Sequence, residues 1–579
     1  MKARSGVFTA FIFILLAVIL LFQILEMIQS DRLYERVNLL EDSLKNTATY
    51  SVTPAQRTAD SLPMPERYPG PEGDWLIWRF SAEPQTLNPI NVEGDIYSRW
   101  ITGGNIHENL LVYDYDEVRL KPWLAESFEV SKDGLEITIT LRDNIYFSDG
   151  VPITTDDILF TYETVMNPGV DAADLRNYYK DIKTVQKIDK RTVRFIFSNT
   201  YWKSVEVAGL FEVLPKHIYK FDDPSEFNQR RSDPVGSGPY VFEKWDVGRE
   251  IVLRRNERYW GTKPNLKKVV YRFITNDLAA VQALRSHQVD MIIPSPDQYA
   301  DMSADAEFVA MFHALAYWNP GIPYFFIAWN QATPYFKDRR VRLALTHTIN
   351  REAMVKHLLK GNARIVTGPF YINGPQNDPS IKPWPFDLEK AGQLLDEAGW
   401  RDTDGDGIRD KNGKPFKFNY SITSGNAIFE RIAKLFKDDA AKVGIEVIPD
   451  PLEWSIFIER INARKFQAAS MGWGGAILED PYQIWHSSQI EGRGNNFIGF
   501  RQAEADALIE EARRTMDAQK RNALYFRFHR LLHEEQPYTF LFTRPTFRFV
   551  DRRFENVVVH KLGLDYYEWY VPTLKQKYK

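Results

Sequence analysis

The sequence predicts an α/β protein with at least two lobes, preceded by an N-terminal transmembrane helix. At 579 residues the chain is too long for one ordinary hydrophobic core. Strand-like apolar runs at 75–78, 194–197 and 269–273 alternate with helix-like segments, which is the order of elements in layered α/β folds. The apolar run Val7–Leu25 has the length that a bilayer requires.

The first 30 residues predict an uncleaved, single-pass membrane anchor. Lys2 and Arg4 precede Val7–Leu25, and roughly 19 residues rising 1.5 Å each approach the thickness of a bilayer core. No small-x-small cleavage site follows the run. We therefore expect the basic end in the cytoplasm, the helix in the inner (cytoplasmic) membrane and the body in the periplasm or extracytoplasmic space. A cleaved signal peptide is the alternative.

Residues 31–72 predict a short coiled coil followed by a proline-rich linker. Apolar residues recur at four, three, four spacing over fewer than two heptads, at Leu33, Val37, Leu40 and Leu44. This seam indicates either an amphipathic extension of the anchor or weak self-association through 33–44. From 46 to 73 the chain is rich in Thr, Pro and Ser, which favours a semi-extended linker.

The segment 124–163 predicts a strand, turn, strand, turn and helix. Apolar residues alternate with polar ones over 135–142, which indicates a hairpin strand with one buried face. Thr154 stands three positions before Asp157, the spacing of a capping box at a helix start. Nothing in this module has catalytic chemistry.

Composition and motifs exclude several classes of function. A net charge of -4 without a basic face or tail indicates no nucleic-acid partner. The absence of cysteine excludes disulfides, thiolate metal sites, cysteine nucleophiles and lipid attachment through cysteine. The histidines are scattered, without a His-Glu-x-x-His or Gly-x-Ser-x-Gly motif. These missing motifs argue against a hydrolase, so we expect that the protein is not an enzyme.

The segment 124–163 closely resembles the signature region of the extracellular solute-binding proteins of family 5. These are the oligopeptide, dipeptide and nickel binding proteins of ABC importers. Further segments resemble the family in the same order along the chain, at 81–89, 108–114, 235–240, 251–261 and 336–345. The glycines at 236 and 238 indicate tight turns, since no helix start with Lys-Ser/Thr follows them as in a phosphate cradle.

The resemblance implies a two-lobed periplasmic binding protein fold of type II, in its large three-subdomain form. Lobe I would comprise 73–325 with an inserted subdomain, lobe II 326–538, and 539–579 would return to lobe I. The implied function is to capture a peptide or peptide-like ligand between the lobes and deliver it to an ABC permease complex. The alternatives are a receptor for another small oligomeric solute, such as an oligosaccharide or a metal chelate, and a ligand sensor for a membrane partner.

By the same resemblance, two segments would carry most ligand contacts. The first is the loop 91–97, and the second is 471–481, which is similar to the family's Gly-Trp-x-x-Asp-x-x-Asp-Pro stretch. Asn495 and Asn496 match an asparagine that the family presents to the ligand backbone. Trp329 lies where the chain would cross to lobe II. The candidate ligand-binding residues are Glu93, Asp95, Tyr97, Trp329, Gly472, Trp473, Gly474, Asp480, Asn495 and Asn496.

The second segment departs from the family pattern. In peptide-binding members, the acidic residue three positions after the tryptophan pairs with the peptide's amino terminus, but here that position is Ala476. Either Asp480 or Glu479 takes over this role, or the ligand has no such amine. Each candidate also has a structural interpretation: Trp473 as a core aromatic, Asp480 as a helix start before proline, and the asparagines as ordinary loop residues.

One acidic loop resembles part of a calcium site. Carboxylates stand at positions 1, 3, 5 and 9 of an EF-hand-like loop, and glycine at position 6, but position 12 is Gly413. A turn rich in Asp and Gly is the default interpretation, so we expect no cofactor. Calcium is the alternative, with the candidate ligands Asp402, Asp404, Asp406 and Asp410.

Overall fold

The computed structural model describes residues 67–578, apart from 92 and 492–493. The predicted anchor and coiled coil lie outside these residues, as does most of the predicted linker. No helix in the described part combines the length and the apolar character needed to cross a membrane.

The described strands form three sheets of four or more strands and three two-stranded ribbons. In chain order the strands are β1 Trp75–Phe80, β2 Leu111–Tyr113, β3 Leu120–Pro122, β4 Ala125–Val130, β5 Glu136–Leu141, β6 Ile182–Lys187, β7 Thr192–Phe197, β8 Tyr240–Asp246, β9 Glu250–Arg255, β10 Lys268–Phe273, β11 Met291–Ile292, β12 Phe312–Tyr317, β13 Tyr324–Trp329, β14 Arg364–Ile365, β15 Asp410–Lys411, β16 Lys414–Pro415, β17 Lys417–Thr423, β18 Glu446–Leu452, β19 Ala468–Trp473, β20 Tyr538–Thr543, β21 Thr546–Asp551, β22 Val559–His560 and β23 Gly563–Leu564.

Helices connect these strands and cover the larger sheets. The α-helices of the described residues are Ile96–Thr102, Thr155–Met166, Ala173–Tyr179, Ser204–Gly209, Lys216–Tyr219, Pro224–Gln229, Asp277–Arg285, Pro296–Ser303, Ala306–Met311, Arg339–His347, Arg351–Ala353, Leu388–Glu397, Ala427–Ala441, Trp454–Asn462, Tyr482–Trp485, Ala503–Arg514 and Ala518–Glu535. A π-helical turn spans Met354–Leu358, and short 3₁₀ turns span Ser487–Gln489, Tyr566–Glu568 and Thr573–Lys575.

Lobe I is built on the seven-stranded sheet, in the order β12-β21-β11-β1-β10-β9-β8. Its central strand β1 runs parallel to β10 and β11. Both faces of this strand are buried, since Leu76 and Trp78 pack into one hydrophobic cluster and Ile77 into another. A strand buried on both faces is typical of a layered α/β lobe.

Lobe II is built on the six-stranded sheet, in the order β14-β20-β13-β19-β17-β18. Alternate residues of β13 supply two separate cores: Ile327 and Trp329 pack on one face, and Phe326 and Ala328 on the other. The period of two residues therefore places the aromatic run at 324–329 at the centre of this lobe.

The chain passes between the two sheets twice, at 318–323 between β12 and β13 and at 544–545 between β20 and β21. The boundaries expected from the sequence, at 325/326 and 538/539, fall within β13 and at the start of β20. Both of these strands belong to the lobe II sheet in full.

The inserted subdomain contains the antiparallel sheet β4-β5-β7-β6. The predicted hairpin is confirmed as β4 and β5, and the predicted helix as Thr155–Met166. Its capping box is also confirmed: Asp156 N–H donates to the Thr154 hydroxyl and Thr154 N–H to the Asp157 carboxylate.

The sequence of 339–360 predicts one longer helix, but this helix is broken in the structure. An α-helix ends at His347, and a second one begins after Asn350, whose side chain accepts the Ala353 N–H at 2.9 Å. An asparagine that caps a new helix start offers the backbone an alternative to continuing the first helix.

A buried ion cluster joins the first and last segments of lobe I. The Arg553 guanidinium contacts the carboxylates of Asp74 and Asp290, and the Lys577 N–H donates to Asp74 at 2.9 Å. Asp74, Asp290 and Arg553 are all buried. Removing one member would leave an uncompensated buried charge.

Candidate functional site

The carboxyl ends of strands from both sheets meet at the two crossings. In lobe I, the parallel strands β1 and β10 end at Phe80 and Phe273. In lobe II, β17, β18 and β19 are parallel, and β20 runs in the same direction because both β19 and β20 are antiparallel to β13. In open α/β sheets, ligands bind outside the carboxyl ends of the strands. The candidate site is therefore the cleft at this edge.

The contacts that join the lobes include two beside the cleft. The Arg431 guanidinium, in the lobe II helix after β17, forms an ion pair with Asp297 in the lobe I helix after β11. The Trp454 indole, at the start of the helix after β18, faces Asp95 of lobe I. The lobes therefore approach each other as in a closed conformation.

The first predicted segment lies on the lobe I side and has local partners. Asp95 caps the helix Ile96–Thr102 by accepting the Ser98 N–H at 2.9 Å. Burial raises the pKa of the Asp95 carboxyl group, and hydrogen bonds from Ser98 and the approach of Trp454 work in the opposite direction. Of the three candidates in this loop, Asp95 is the one for which a contact with a lobe II side chain is described.

The other two candidates of this segment contact residues of lobe I. Glu93 is exposed and pairs with Arg231 at 3.1 Å. The Tyr97 hydroxyl shares a 2.6 Å hydrogen bond with Ser81, and burial raises the pKa of Tyr97. Both side chains lie at the carboxyl end of β1 with these partners.

The second predicted segment ends the strand β19 on the lobe II side. Gly472 pairs with Phe325 and Trp473 with Tyr324. A Cβ atom added at Gly472 would lie 2.9 Å from the Phe325 ring, so the ring covers this backbone closely. Trp473 also packs against Phe497, with ring centroids 5.8 Å apart.

The other edge of β19 is open at this end. β17 pairs with β19 at Ala468 and Ala469 only, and no described strand pairs with 471–473 on that side. Gly474 follows with no atom within 4 Å of an added Cβ. An extended chain could therefore pair its backbone with 471–473, as peptides do at free sheet edges.

Asp480 is buried and fully engaged. Its carboxylate accepts from the Tyr201 hydroxyl at 2.5 Å, from Arg513 Nε at 3.3 Å and from the Tyr482 N–H at 3.2 Å. Tyr482 begins a short helix, so the helix-start interpretation of Asp480 describes part of its role. In the structure, Asp480 already pairs with the Arg513 guanidinium group. This placement argues against Asp480 as a carboxylate that is available to bind the amino group of a ligand.

Glu479 differs from its neighbour in having few partners. Among the described residues, its carboxylate accepts one hydrogen bond, from the Ala476 N–H at 2.7 Å. Burial raises the pKa of the Glu479 carboxyl group from 4.5 to about 7, and the Lys203 ammonium group works in the opposite direction. Gln376 fixes its backbone through two bonds of 2.7 Å.

Glu479 and Trp473 border the same small cavity. Its volume is about 10 Å³, the size that one water molecule requires. The Tyr324 hydroxyl also lines it, and is buried without a hydrogen-bond partner among the described residues. The remaining lining residues include Phe370 and Trp485. The cavity thus has apolar walls and one acidic group.

Three other candidates lie apart from this cavity. The Asn496 side chain donates to Phe500 O at 2.7 Å and accepts the Phe500 N–H at 2.9 Å, and it is fully buried. Asn495 is partly exposed in the same loop. Trp329 is fully buried in the lobe II core, where its indole donates to Thr539. The placements of Asn496 and Trp329 argue for structural roles.

The acidic loop brings three of its four predicted carboxylates together. Ligand atoms of Asp402, Asp404 and Asp410 lie within 4.8 Å of one another. Asp402 already accepts the N–H groups of Gly405 and Gly407, at 2.7 and 3.0 Å. These are the bonds of an Asp-Gly turn. Calcium at this loop stays the alternative interpretation.

Two arginines near the crossings were not among the predicted residues. Arg544 directly follows β20, and Arg548 lies within β21. A signal existed in the sequence, because Arg548 interrupts the otherwise apolar run FRFV at 547–550. Charged residues in such runs are rarely buried unless they are paired or functional.

The family assignment rests on comparisons with known proteins. A family model described as bacterial extracellular solute-binding proteins, family 5 Middle, matches residues 119–495. The oligopeptide-binding protein AppA of Bacillus subtilis is 32% identical over 452 residues, which cover 76% of this chain and 81% of that protein. The nickel-binding periplasmic protein of Escherichia coli is 25% identical over 474 residues, covering 79% and 87%.

Solved structures agree with this assignment. The structure of AppA from Bacillus subtilis in complex with a nonapeptide has a TM-score of 0.81 at 29% identity, and covers 87% of this chain and 100% of that one. NikZ from Campylobacter jejuni in complex with Ni(L-His) has a TM-score of 0.76 at 24% identity, covering 86% and 99%. The chain therefore belongs to the bacterial extracellular solute-binding proteins of family 5, and it has their mixed α/β, two-lobed periplasmic binding protein fold.

Proposed function

We propose that this protein is the peptide receptor of an ABC importer, and that Glu479 binds the amino group of the peptide. The observation that carries the proposal is the Glu479 carboxylate, which is half-buried beside Trp473 with one backbone hydrogen bond. A peptide ammonium group would supply the missing positive partner. Charge-assisted hydrogen bonds in a desolvated site orient a ligand strongly.

The neighbouring protein cation leaves this carboxylate available. Lys203 Nζ lies 2.7 Å from Glu206 and donates to Leu478 O at 3.0 Å. Its charge acts on Glu479, although the two side chains form neither a hydrogen bond nor an ion pair in the described part of the chain. Lys203 therefore favours the ionised form of Glu479, while an ammonium group of the ligand can still make the direct bond.

The open edge of β19 provides the second part of the proposed site. Backbone groups at 471–473 would pair with the peptide main chain, and the Trp473 ring would pack on a ligand side chain. Main-chain pairing does not depend on ligand sequence. The proposal therefore fits relatives such as AppA, which is named an oligopeptide-binding protein.

We also propose that the chain is held at the extracytoplasmic face of the membrane by its N-terminal segment. The basis is Val7–Leu25, with Lys2 and Arg4 before it. Such a receptor would deliver its ligand to a permease in the same membrane. The intact mass of the purified protein tests the anchor: a mature chain that begins after residue 25 would contradict it.

Native mass spectrometry of protein purified without denaturation tests the ligand class. We expect a ladder of bound peptides. A bound metal chelate or haem would instead place this chain with relatives such as the nickel-binding protein of Escherichia coli or the haem-binding protein A of Haemophilus influenzae.

Calorimetry then tests the proposed amine site. A pentaalanine peptide should bind more tightly than its N-acetylated form in the wild type, and Glu479→Gln should remove the difference. Equal binding of both peptides to the wild type would contradict the role of Glu479. Trp473→Ala should weaken binding of both peptides.

A further inference from the structure

Two guanidinium groups lie at the floor of the cleft. Arg544 is part of the crossing after β20, and its guanidinium lies 5.9 Å from the Phe325 ring centroid and 5.5 Å from that of Phe547. Arg548 follows on β21, 5.8 Å from the Trp78 ring centroid. One arginine therefore contacts rings of both lobes, and the other contacts lobe I.

Neither arginine has a carboxylate partner among the described residues. Within the described residues, Arg544 forms no hydrogen bond or ion pair, and its Nε is buried without a partner. Arg548 donates to Phe547 O at 2.8 Å. Burial lowers the pKa of Arg544 to about 10, and the positive charge of Arg548 adds to this effect. Both groups still carry their charge at neutral pH.

Fully buried arginines in the described part of the chain are satisfied. Arg342 and Arg351 donate to backbone carbonyl groups, and Arg342 also contacts Glu535. Arg513 pairs with Asp480 and Asp181, and Arg553 with Asp74 and Asp290. Arg544 and Arg548 are half-buried, and removing a cation from water without an anion is costly. An anion from outside the chain would supply the partner that the two cleft arginines lack.

Their position connects them to the proposed peptide site. Arg544 lies against Phe325, and Phe325 is the direct partner of Gly472 on β19. The Phe325 ring also covers the backbone of Gly472, so Arg544 lies beside the ring that covers the strand proposed to pair with a peptide. Phe325 and Tyr324 face opposite sides of the lobe II sheet, and Tyr324 borders the Glu479 cavity. Arg544 and Glu479 would thus provide opposite charges on the two sides of this strand end.

We propose that Arg544 and Arg548 receive an anionic group of the bound solute, a carboxylate, at the floor of the cleft. The inference rests on the proposed function, which supplies a peptide as the solute. The carboxylate can come from the peptide's C-terminus or from an acidic side chain. Guanidinium groups match either source, because their planar donors bind carboxylates in pairs.

Calorimetry with four probe peptides tests this inference: pentaalanine, its C-terminal amide, the amide with one alanine replaced by glutamate, and N-acetylated pentaalanine. The proteins are the full-length wild type, Arg544→Gln and Arg548→Gln. Arg285→Gln is the matched control, since Arg285 also lies over a ring, 5.5 Å from the Phe308 centroid, but contacts Asp305. Native mass spectrometry of all four proteins reports the solute acquired in the cell.

We expect each cleft variant to bind carboxylate-bearing probes about tenfold or more weakly than the wild type, the loss expected for a charge-assisted bond. Arg285→Gln should bind like the wild type. If the wild type binds the C-terminal amide more weakly than pentaalanine, the arginines bind the C-terminal carboxylate of the peptide. If the amide that contains glutamate binds more tightly than the plain amide, they also bind the carboxylate of an acidic side chain. A wild type that binds every probe equally, or that binds none of those with a carboxylate, would overturn the inference.

Stability separates a binding role from a structural one. Replacing either cleft arginine with glutamine removes a charge that has no carboxylate partner among the described residues. The ligand-free cleft variants should therefore melt no lower than the wild type. The rise in melting temperature that pentaalanine causes should be smaller in the variants than in the wild type. Variants that melt lower and respond fully to pentaalanine would contradict the inference.

The inference can fail separately from the proposed function. N-acetylated pentaalanine that binds as tightly as pentaalanine contradicts the role of Glu479 but leaves the arginine result intact. If the wild type carries a solute that is not a peptide, an anionic solute lost from the cleft variants supports the inference. A neutral solute kept by them overturns it.

Discussion

The Tyr201 hydroxyl donates to the Asp480 carboxylate over 2.5 Å and thereby joins the inserted subdomain to lobe II. Arg513 approaches the same carboxylate at 3.3 Å. Burial and the charge of Asp480 raise the pKa of Tyr201 well above its ordinary value, so the tyrosine remains a hydrogen-bond donor. Asp480 therefore has a structural role, next to Glu479, whose carboxylate is proposed to bind the ligand.

Asp480→Asn should lower the free energy of unfolding by about 3 kcal/mol, because Arg513 would lose a buried counter-ion. Denaturation by urea, followed by circular dichroism, measures this change. Asp439→Asn is the control, since its partner Lys442 is mostly exposed, and it should cost less than about 1 kcal/mol. Equal effects of the two substitutions would contradict a structural role of Asp480.

Peptide affinity should rise with pH through the titration of Glu479. Burial raises the pKa of this carboxyl group to about 7, so the group is mostly protonated at pH 5.5 and mostly ionised at pH 8. The ionised form attracts a ligand ammonium group. Calorimetry with pentaalanine between pH 5.5 and about 7, where the peptide's own amino group stays protonated, should show the rise in the wild type and a flat profile in Glu479→Gln. An affinity that falls with pH in the wild type would rule this out.

The same raised pKa has the opposite effect on the stability of the ligand-free protein. Its value exceeds the 4.5 of an ordinary glutamate, so the folded state binds the proton more tightly than the unfolded state. The contribution of this group to stability is present below pH 4.5 and declines as the pH rises towards 7. Relative to the wild type, Glu479→Gln should gain in melting temperature between these values.

Two adjacent glycines should respond very differently to alanine. A Cβ atom at Gly475 would lie 2.6 Å from Ile322 O and 2.7 Å from Pro320 O, in the crossing at 318–323, whereas one at Gly474 meets nothing within 4 Å. Gly475→Ala should therefore destabilise the fold by about 1–3 kcal/mol, and Gly474→Ala by no more than about 0.5 kcal/mol. Thermal unfolding of the ligand-free proteins measures both, and equal melting temperatures would contradict the close approach.

The pair Arg431 and Asp297 should contribute modestly to lobe closure. Both side chains are partly exposed, and such pairs are worth about 1 kcal/mol or less. Asp297→Asn should thus weaken pentaalanine binding less than about fivefold, with a smaller effect at high salt. Arg431→Glu should weaken it further, since two acidic groups would then face each other. Calorimetry at two salt concentrations provides the measurement.

Local features of the fold were predictable, whereas contacts distant in sequence were not. The capping box of Thr154 and Asp157 follows from residues three positions apart. Tyr201 and Asp480 are separated by 279 positions, and no spacing pattern indicates that they meet. The sequence marked the Trp473 segment but left Glu479 and Asp480 as alternatives, because their different burial and partners depend on lobe packing.

Both ends of the described chain belong to lobe I, through the cluster of Asp74, Arg553 and Lys577. In the described chain, only the two crossings link lobe II to it covalently. If a membrane tether holds the N-terminus, the chain that leaves the tether therefore enters lobe I first and ends there, and lobe II is attached to the tether only through lobe I. A closed receptor would differ from an empty one mainly in how far lobe II reaches over lobe I.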